Sequence, residues 1–403
     1  MFELRRTTTA GLGLALLAAC ADLSPVSPRP GPAAVARSLT STSPVWRDQA
    51  TGTTADGAAY AIFVPNGWNG DVVFYAHGIL PPLAPVSLPG PTDWDNATAL
   101  RDALGQAGYA VAYSSFGENG YAIKDGIQRT HQLRGIFTSK FGKPARSFLI
   151  GHSLGAQVAQ ALAETYPDQY SGALAMCGVL GGTRLQTDYI GHARALFDFF
   201  YPGVLPGDVM EMPIIITDPT TQIQNPVIGA VLANPTGFGL LAASNQVQLA
   251  GANTTELLTS LVNALAYQAI GVNDLLQRTH GHVLFDNSQT QYGSALYPAE
   301  YYQTVNAGIK RYTATPDALA WLEHNYEPTG DLRIPMLTLH KTRDRLVPYR
   351  HEAAYRDLVG EAGRSSNLVQ RSQDAFGHCE FEAADMLSNF QDLVKWVDTG
   401  TRP

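Results

Sequence analysis

Ser153 stands at the centre of Gly151-His152-Ser153-Leu154-Gly155, after the apolar run Ser147-Phe148-Leu149-Ile150 and before Leu154, Val158, Ala161, Leu162 and Thr165 at helical spacing. A serine at a sharp strand-to-helix turn is held out for nucleophilic attack, and glycines two residues to either side remove the side chains that would clash there. In a glycine-rich chain the pattern alone is weak. The strand, turn and helix around it make Ser153 a candidate nucleophile rather than a buried structural serine.

A serine hydroxyl attacks poorly unless a base takes its proton and an acid orients that base. Of the ten histidines, His378 is the best placed, because Asn367-Leu368-Val369-Gln370-Arg371 reads as a last strand and Ala375-Phe376-Gly377-His378 as the loop after it. The acid expected is Asp344, which follows the strand-like run Ile334 to His340 and precedes Leu346-Val347-Pro348. Arg343 and Arg345 flank it and offer a surface pairing instead, and Asp374 is a spare acid within the histidine's own loop. His340 reads as packing at a strand end and His351 as the start of a helix. His280 and His282 form a His-x-His without a third ligand, so neither metal nor cofactor is expected.

The elements that must position these residues alternate. Tyr60 to Val64, Asp71 to Ala76, Tyr109 to Ser114, Ser147 to Ile150 and Gly172 to Cys177 read as strands, with Asp93 to Ala107 and Asp125 to Phe141 as helices between them. Such alternation predicts a parallel sheet with right-handed crossovers. From Gly181 to about Asp331 no buried strand is expected. Asn253 with Glu256 is a capping-box-like start for a helix through Leu257, Leu258, Leu261 and Leu265. The aromatic clusters Phe197 to Tyr201 and Tyr297 to Tyr302 suit either a lid's acyl or aryl pocket or the core of a helical subdomain. Gly117 to Tyr121, after an early strand, is expected at the pocket wall.

Arg5 and Arg6 precede an apolar run from Ala10 to Ala19, too short to span a bilayer, which ends in Leu17-Ala18-Ala19-Cys20. This resembles a bacterial lipobox. Residues 1–20 are therefore expected to be a lipoprotein signal peptide with Cys20 the lipidated residue, and residues 21–44, rich in Ser, Pro and Ala, a tether. An exported lipoprotein held at the membrane of the cell envelope is the expectation. A net charge of −8 and only 15% charged residues argue against nucleic acid as a partner. The apolar stretch around Pro226 to Ala243 is broken by Asn234-Pro235 and Gly237, so it is not expected to cross a membrane.

The order Ser153, Asp344, His378, with His77-Gly78 after an early strand, resembles the α/β-hydrolase superfamily over roughly residues 55 to 400, and is similar to its secreted bacterial carboxylesterases and lipase-like enzymes. The resemblance implies a mostly parallel eight-stranded α/β sheet. It implies a core of residues 45–180 and 332–403, with a helical cap of residues 181–331 between strands six and seven. It implies acyl-enzyme hydrolysis of a small or polymeric carboxylic ester, with the backbone N–H groups of Leu154 and Ile79 as the oxyanion hole. A serine peptidase or amidase, an acyltransferase, and an inactive surface binding protein on the same fold are the rival readings. Cys177 ends the strand after the elbow helix and Cys379 follows His378, so both are expected at the catalytic edge, either as a disulfide or as two buried thiols. Tannase and feruloyl esterase enzymes tie a cysteine beside the serine to one beside the histidine; here His152 precedes Ser153, and that pattern is not met.

Overall fold

Eight apolar runs become the strands of one sheet in the computed structural model, which describes residues 45–91 and 96–403. They are β1 Trp46–Thr53, β2 Ala59–Pro65, β3 Asp71–Ala76, β4 Ala110–Ser114, β5 Arg146–His152, β6 Gly172–Met176, β7 Met336–Arg343 and β8 Leu368–Phe376. The signal peptide, Cys20 and the tether expected before residue 45 lie outside the described residues, as do the first residues of the helix expected from Asp93.

The strands lie in the order β1-β2-β4-β3-β5-β6-β7-β8. β2 pairs antiparallel with β1 and β4, and every later pairing is parallel. With helices covering both faces this is the α/β-hydrolase fold. β1 escapes a search for buried runs, because its residues alternate between half-buried and exposed along the sheet edge and include Arg47, Asp48 and Gln49.

Between the strands run α1 Ala97–Gln106, α2 Ile123–Phe141 and α3 Leu154–Thr165. The period-two alternation of β3 assigns the faces. Val72 and Phe74 point into a core with Leu133 and Phe137 of α2 and Val158 of α3. Val73 and Tyr75 point the other way, toward Leu100 and Leu104 of α1.

Six helices separate β6 from β7: α4 Thr183–Phe200, α5 Asn225–Ala233, α6 Pro235–Ala242, α7 Thr254–Arg278, α8 Glu300–Gly308 and α9 Pro316–Asn325. α7 starts where its cap dictates. The Asn253 side chain accepts the Glu256 N–H at 3.0 Å, and Glu256 Oε2 accepts the Ala252 N–H at 2.7 Å. Phe197, Tyr201, Leu241, Leu261, Leu265 and Tyr302 fill a core of the insertion's own, which is where most of the aromatic clusters go. Ala318 and Leu322 of α9 instead join the core of the sheet. α10 Arg350–Glu361 and α11 Ala383–Thr399 complete the chain, and Phe390 and Leu393 of α11 cover the α1 face. Among the described residues no helix is long and apolar enough to cross a membrane.

Candidate active site

Ser153 lies between the end of β5 and the start of α3 with φ 53° and ψ −119°, a conformation that side chains rarely adopt. The two flanking glycines are required by contact. A Cβ on Gly151 would collide with the Gly155 carbonyl, and one on Gly155 with the Ala76 carbonyl of β3. The turn therefore packs backbone to backbone, and Ser153 N–H is held by the Met176 carbonyl at 2.9 Å.

His378 comes from the loop after β8 and Asp344 from the loop after β7. The structure brings both to Ser153: Ser153 Oγ lies 3.0 Å from His378 Nε2, and His378 Nδ1 lies 2.8 Å from Asp344 Oδ2 and 3.0 Å from Oδ1. An ionised carboxylate only accepts, so Nδ1 carries the proton and Nε2 is left to accept the serine hydroxyl. Asp344 Oδ1 also accepts the N–H groups of Leu346 and Val347, each at 2.9 Å. Burial opposes charge on Asp344, yet His378 and His340 hold its carboxyl well below the usual carboxylate range.

The alternatives to this acid are occupied elsewhere. Arg343 pairs with Asp374 and, at 3.3 Å, with Glu256, while Arg345 pairs with Glu380 at 2.7 Å. Asp374 is exposed and accepts Thr342 Oγ1 at 3.1 Å. His282 lies 3.5 Å from Asp317, both within the insertion.

Leu154 is the first residue of α3, so its N–H is among those that no carbonyl within the helix accepts. Ile79 lines the cavity that reaches His378. Beside it, His77 stacks on Phe116 with ring centroids 3.9 Å apart and donates from Nδ1 to the Gly78 carbonyl at 2.6 Å, which steadies the loop.

Cys177 and Cys379 are joined in a disulfide with Cα atoms 5.3 Å apart. Cys379 Sγ lies 3.5 Å from His378 Nε2, so the bridge packs directly against the imidazole. Among the described residues, Cys177, His378 and Cys379 are the one group of histidine, cysteine and carboxylate ligands close enough to hold a metal, and the two sulfurs are bonded to each other. Ser153, Cys177 and Cys379 all have left-handed φ, at 53°, 46° and 58°.

The cavity measures about 400 Å³. Ile79 and Pro81 line one wall and Gly120 and Tyr121 another, whereas Gly117 to Asn119 of the same expected loop line the neighbouring groove instead. The wall that sequence reading missed is α7, through Tyr267, Ile270 and Asp274. Their spacing of three and four residues was the available signal, hidden among the core residues of the same helix. Asp274 fixes that wall: Oδ2 accepts the Tyr121 N–H at 2.8 Å, and both oxygens accept Arg278 Nε at 3.0 Å. Arg278 in turn holds Glu118 at 2.8 Å and the Asn119 carbonyl at 2.7 Å. Gly120 is needed because a Cβ there would strike the Asp274 carboxylate. A groove of about 590 Å³ shares Pro81, Ile270 and Asp274 with the cavity and continues along exposed Leu83, Ile214 and Ile215.

No protein-family model matches the chain. An o-phthalyl amidase from Xanthobacter agilis is 22% identical over 87% of this chain and 88% of its own length. Among solved structures, feruloyl esterase B from Aspergillus oryzae is similar with a TM-score of 0.47 and 14% identity, over 88% of this chain and 80% of that one. Candida antarctica lipase A aligns with a TM-score of 0.42 and 15% identity, over 88% and 77%. An esterase from Pyrococcus furiosus aligns with a TM-score of 0.43 and 12% identity, over 86% and 89%.

Proposed function

We propose that this protein is a serine hydrolase that cleaves carboxylic esters through an acyl-enzyme, with Ser153 as nucleophile, His378 as base and Asp344 as orienting acid. The observation that carries the reading is the unbroken chain from Ser153 Oγ to His378 Nε2 at 3.0 Å and from His378 Nδ1 to Asp344 at 2.8 Å, built on a strained serine whose histidine partner lines a cavity. His378 takes the Oγ proton as Oγ bonds to the ester carbonyl carbon. The carbonyl oxygen becomes an oxyanion facing the N–H groups of Leu154 and Ile79. His378 then gives its proton to the departing alcohol as the ester C–O bond breaks. Water, deprotonated by the same nitrogen, attacks the acyl-serine, and proton return to Oγ frees the acid. Each oxyanion donor contributes about 10²- to 10³-fold in kcat.

The apolar walls and the groove beyond Pro81 suit an ester with an extended apolar arm. The amidase relative favours a second reading, amide hydrolysis by the same residues. The disulfide supports an oxidising compartment, and with it the proposal that the chain is exported with Cys20 lipidated.

The test is turnover of p-nitrophenyl esters of increasing acyl length, beside an aryl amide, by the chain and by Ser153→Ala. Ester turnover abolished in the variant is the expected result. Amide turnover without ester turnover would transfer the assignment to amide hydrolysis, and ester turnover that survives Ser153→Ala would remove Ser153 from the chemistry.

A further inference from the structure

A second buried relay lies behind Asp344. His340, the β7 residue read from sequence as strand-end packing, is fully buried. Its Nδ1 lies 3.2 Å from Glu352 Oε1, and its Nε2 lies 3.0 Å from the Val347 carbonyl and 3.3 Å from Asp344 Oδ2. Every atom facing either ring nitrogen at these distances is an acceptor. A neutral imidazole has one N–H, so the lone pair of its other nitrogen would abut a carboxylate or a carbonyl oxygen; an imidazolium satisfies both sides. Glu352 is equipped as the counter-anion, since its Oε2 accepts Thr338 Oγ1 at 2.6 Å and Gln370 Nε2 at 2.6 Å.

We propose that Glu352 and a cationic His340 form a positioning pair for Asp344, holding the same Oδ2 that faces His378 Nδ1 and drawing off part of the charge presented to that ring. The inference rests on the acyl-enzyme reading above. Without the cation, the full field of Asp344 would fall on His378, stabilise its imidazolium and raise the pH at which the ring becomes free to accept the Ser153 proton.

The neighbours of His340 leave it as the cation of this group. On α10, His351 accepts the Gly181 N–H at Nδ1, 3.1 Å away, and donates from Nε2 to Gln186 Oε1 at 3.0 Å. It is therefore neutral, and burial and the nearby Arg350 hold its protonation well below the usual range. Tyr349 meets the His340 ring edge-on at 5.7 Å, and Ser372, the partner on β8, is uncharged. On α4, Tyr189 faces Asp344 as a neutral phenol that burial keeps protonated. Burial disfavours charge on His340 itself, but Asp344 and Glu352 outweigh it and push the ring up to about 10.

The experiment uses the full chain, His340→Gln, and the charge-balanced double variant His340→Gln with Glu352→Gln. It reads the pH profile of kcat/KM on p-nitrophenyl butyrate and the NMR titration of His378, whose resonance is identified by its absence in His378→Ala. Expected in the double variant is a folded protein with a cooperative thermal transition, with the His378 titration and the acid limb of kcat/KM both raised by about one pH unit. At pH values below that limb kcat/KM then falls about tenfold. Parental values for both in a folded double variant would overturn the proposal. The unmutated chain gives a readout that survives misfolding of the variants: at about pH 7.5 both ring nitrogens of His340 should show ¹⁵N shifts of the N–H type, and an unprotonated nitrogen there overturns it as well. These NMR readings need no substrate. A chain that hydrolyses no ester thus ends the esterase reading, whereas an unshifted His378 in an active esterase ends this one.

Discussion

Asp344 is held by the N–H groups of Leu346 and Val347 and by the rings of His378 and His340. Such a carboxylate cannot swing away to pair with its arginine neighbours, and its charge is shared between two imidazoles. Asp344→Asn keeps the acceptor for the loop N–H groups but offers an amide where His378 needs an acceptor. Its kcat should fall by roughly 10⁴ while the melting temperature changes far less, as steady-state kinetics and calorimetry on one preparation would show. His340 carries a stability signature of its own. Its folded-state protonation midpoint, about 10, lies above the unfolded value of about 6.5. The stabilisation is therefore complete below about pH 6.5 and is lost as pH rises through about 10. Thermal melts between about pH 7 and 10 should show a decline that is absent when His340 and Glu352 are both glutamine.

The elements hold strain where the site needs it. The β5-to-α3 turn tolerates Ser153 at φ 53° because Gly151 and Gly155 let backbone meet backbone. Gly155→Ala would push α3 away from the Ala76 carbonyl and displace Ser153, and an active-site-directed fluorophosphonate should then label the folded protein far more slowly. The disulfide ties the end of β6 to the loop after β8 across a sequence separation of 202 residues, beside His378. Removing it by Cys177→Ala with Cys379→Ala should cost about 2 to 5 kcal/mol in denaturant unfolding. Because Cys379 adjoins His378, kcat should fall as well; a stability loss with unchanged kcat would make the bridge a staple of the fold alone.

For the whole molecule, the insertion builds its own core and also supplies one wall of the cavity through α7. Asp274 and Arg278 connect that wall to the loop after β4 with hydrogen bonds to Tyr121 and Asn119 and an ion pair to Glu118. The part-buried charged hydrogen bonds to Tyr121 and Asn119 contribute about 1.5 to 3 kcal/mol each. Asp274→Ala should loosen the wall without touching Ser153, so KM should rise most for esters long enough to reach the groove while kcat on an acetyl ester is nearly kept. A series of acyl lengths assayed on both proteins would reveal the divergence.

Strand, turn and helix around Ser153, and the loops carrying Asp344 and His378, are legible in sequence because buried parallel strands are short apolar runs and the polar residues after them have no packing role to disguise them. β1 was illegible for the converse reason, since an edge strand with polar alternation has no buried run. The aromatic clusters could not be assigned from sequence, because a ring that fills a core and a ring that lines a pocket share the same composition; only the packing of α4, α7 and α8 sent them inward. The same holds for His340. That it touches both Glu352 and Asp344 follows from how α10 lies against β7, a long-range contact with no mark in local spacing. By itself the sequence determined which residues could do chemistry and in what order along the sheet. The tertiary structure decided which of them meet, which charges they share and which helix closes the pocket, because those depend on distances between segments that periodicity does not encode.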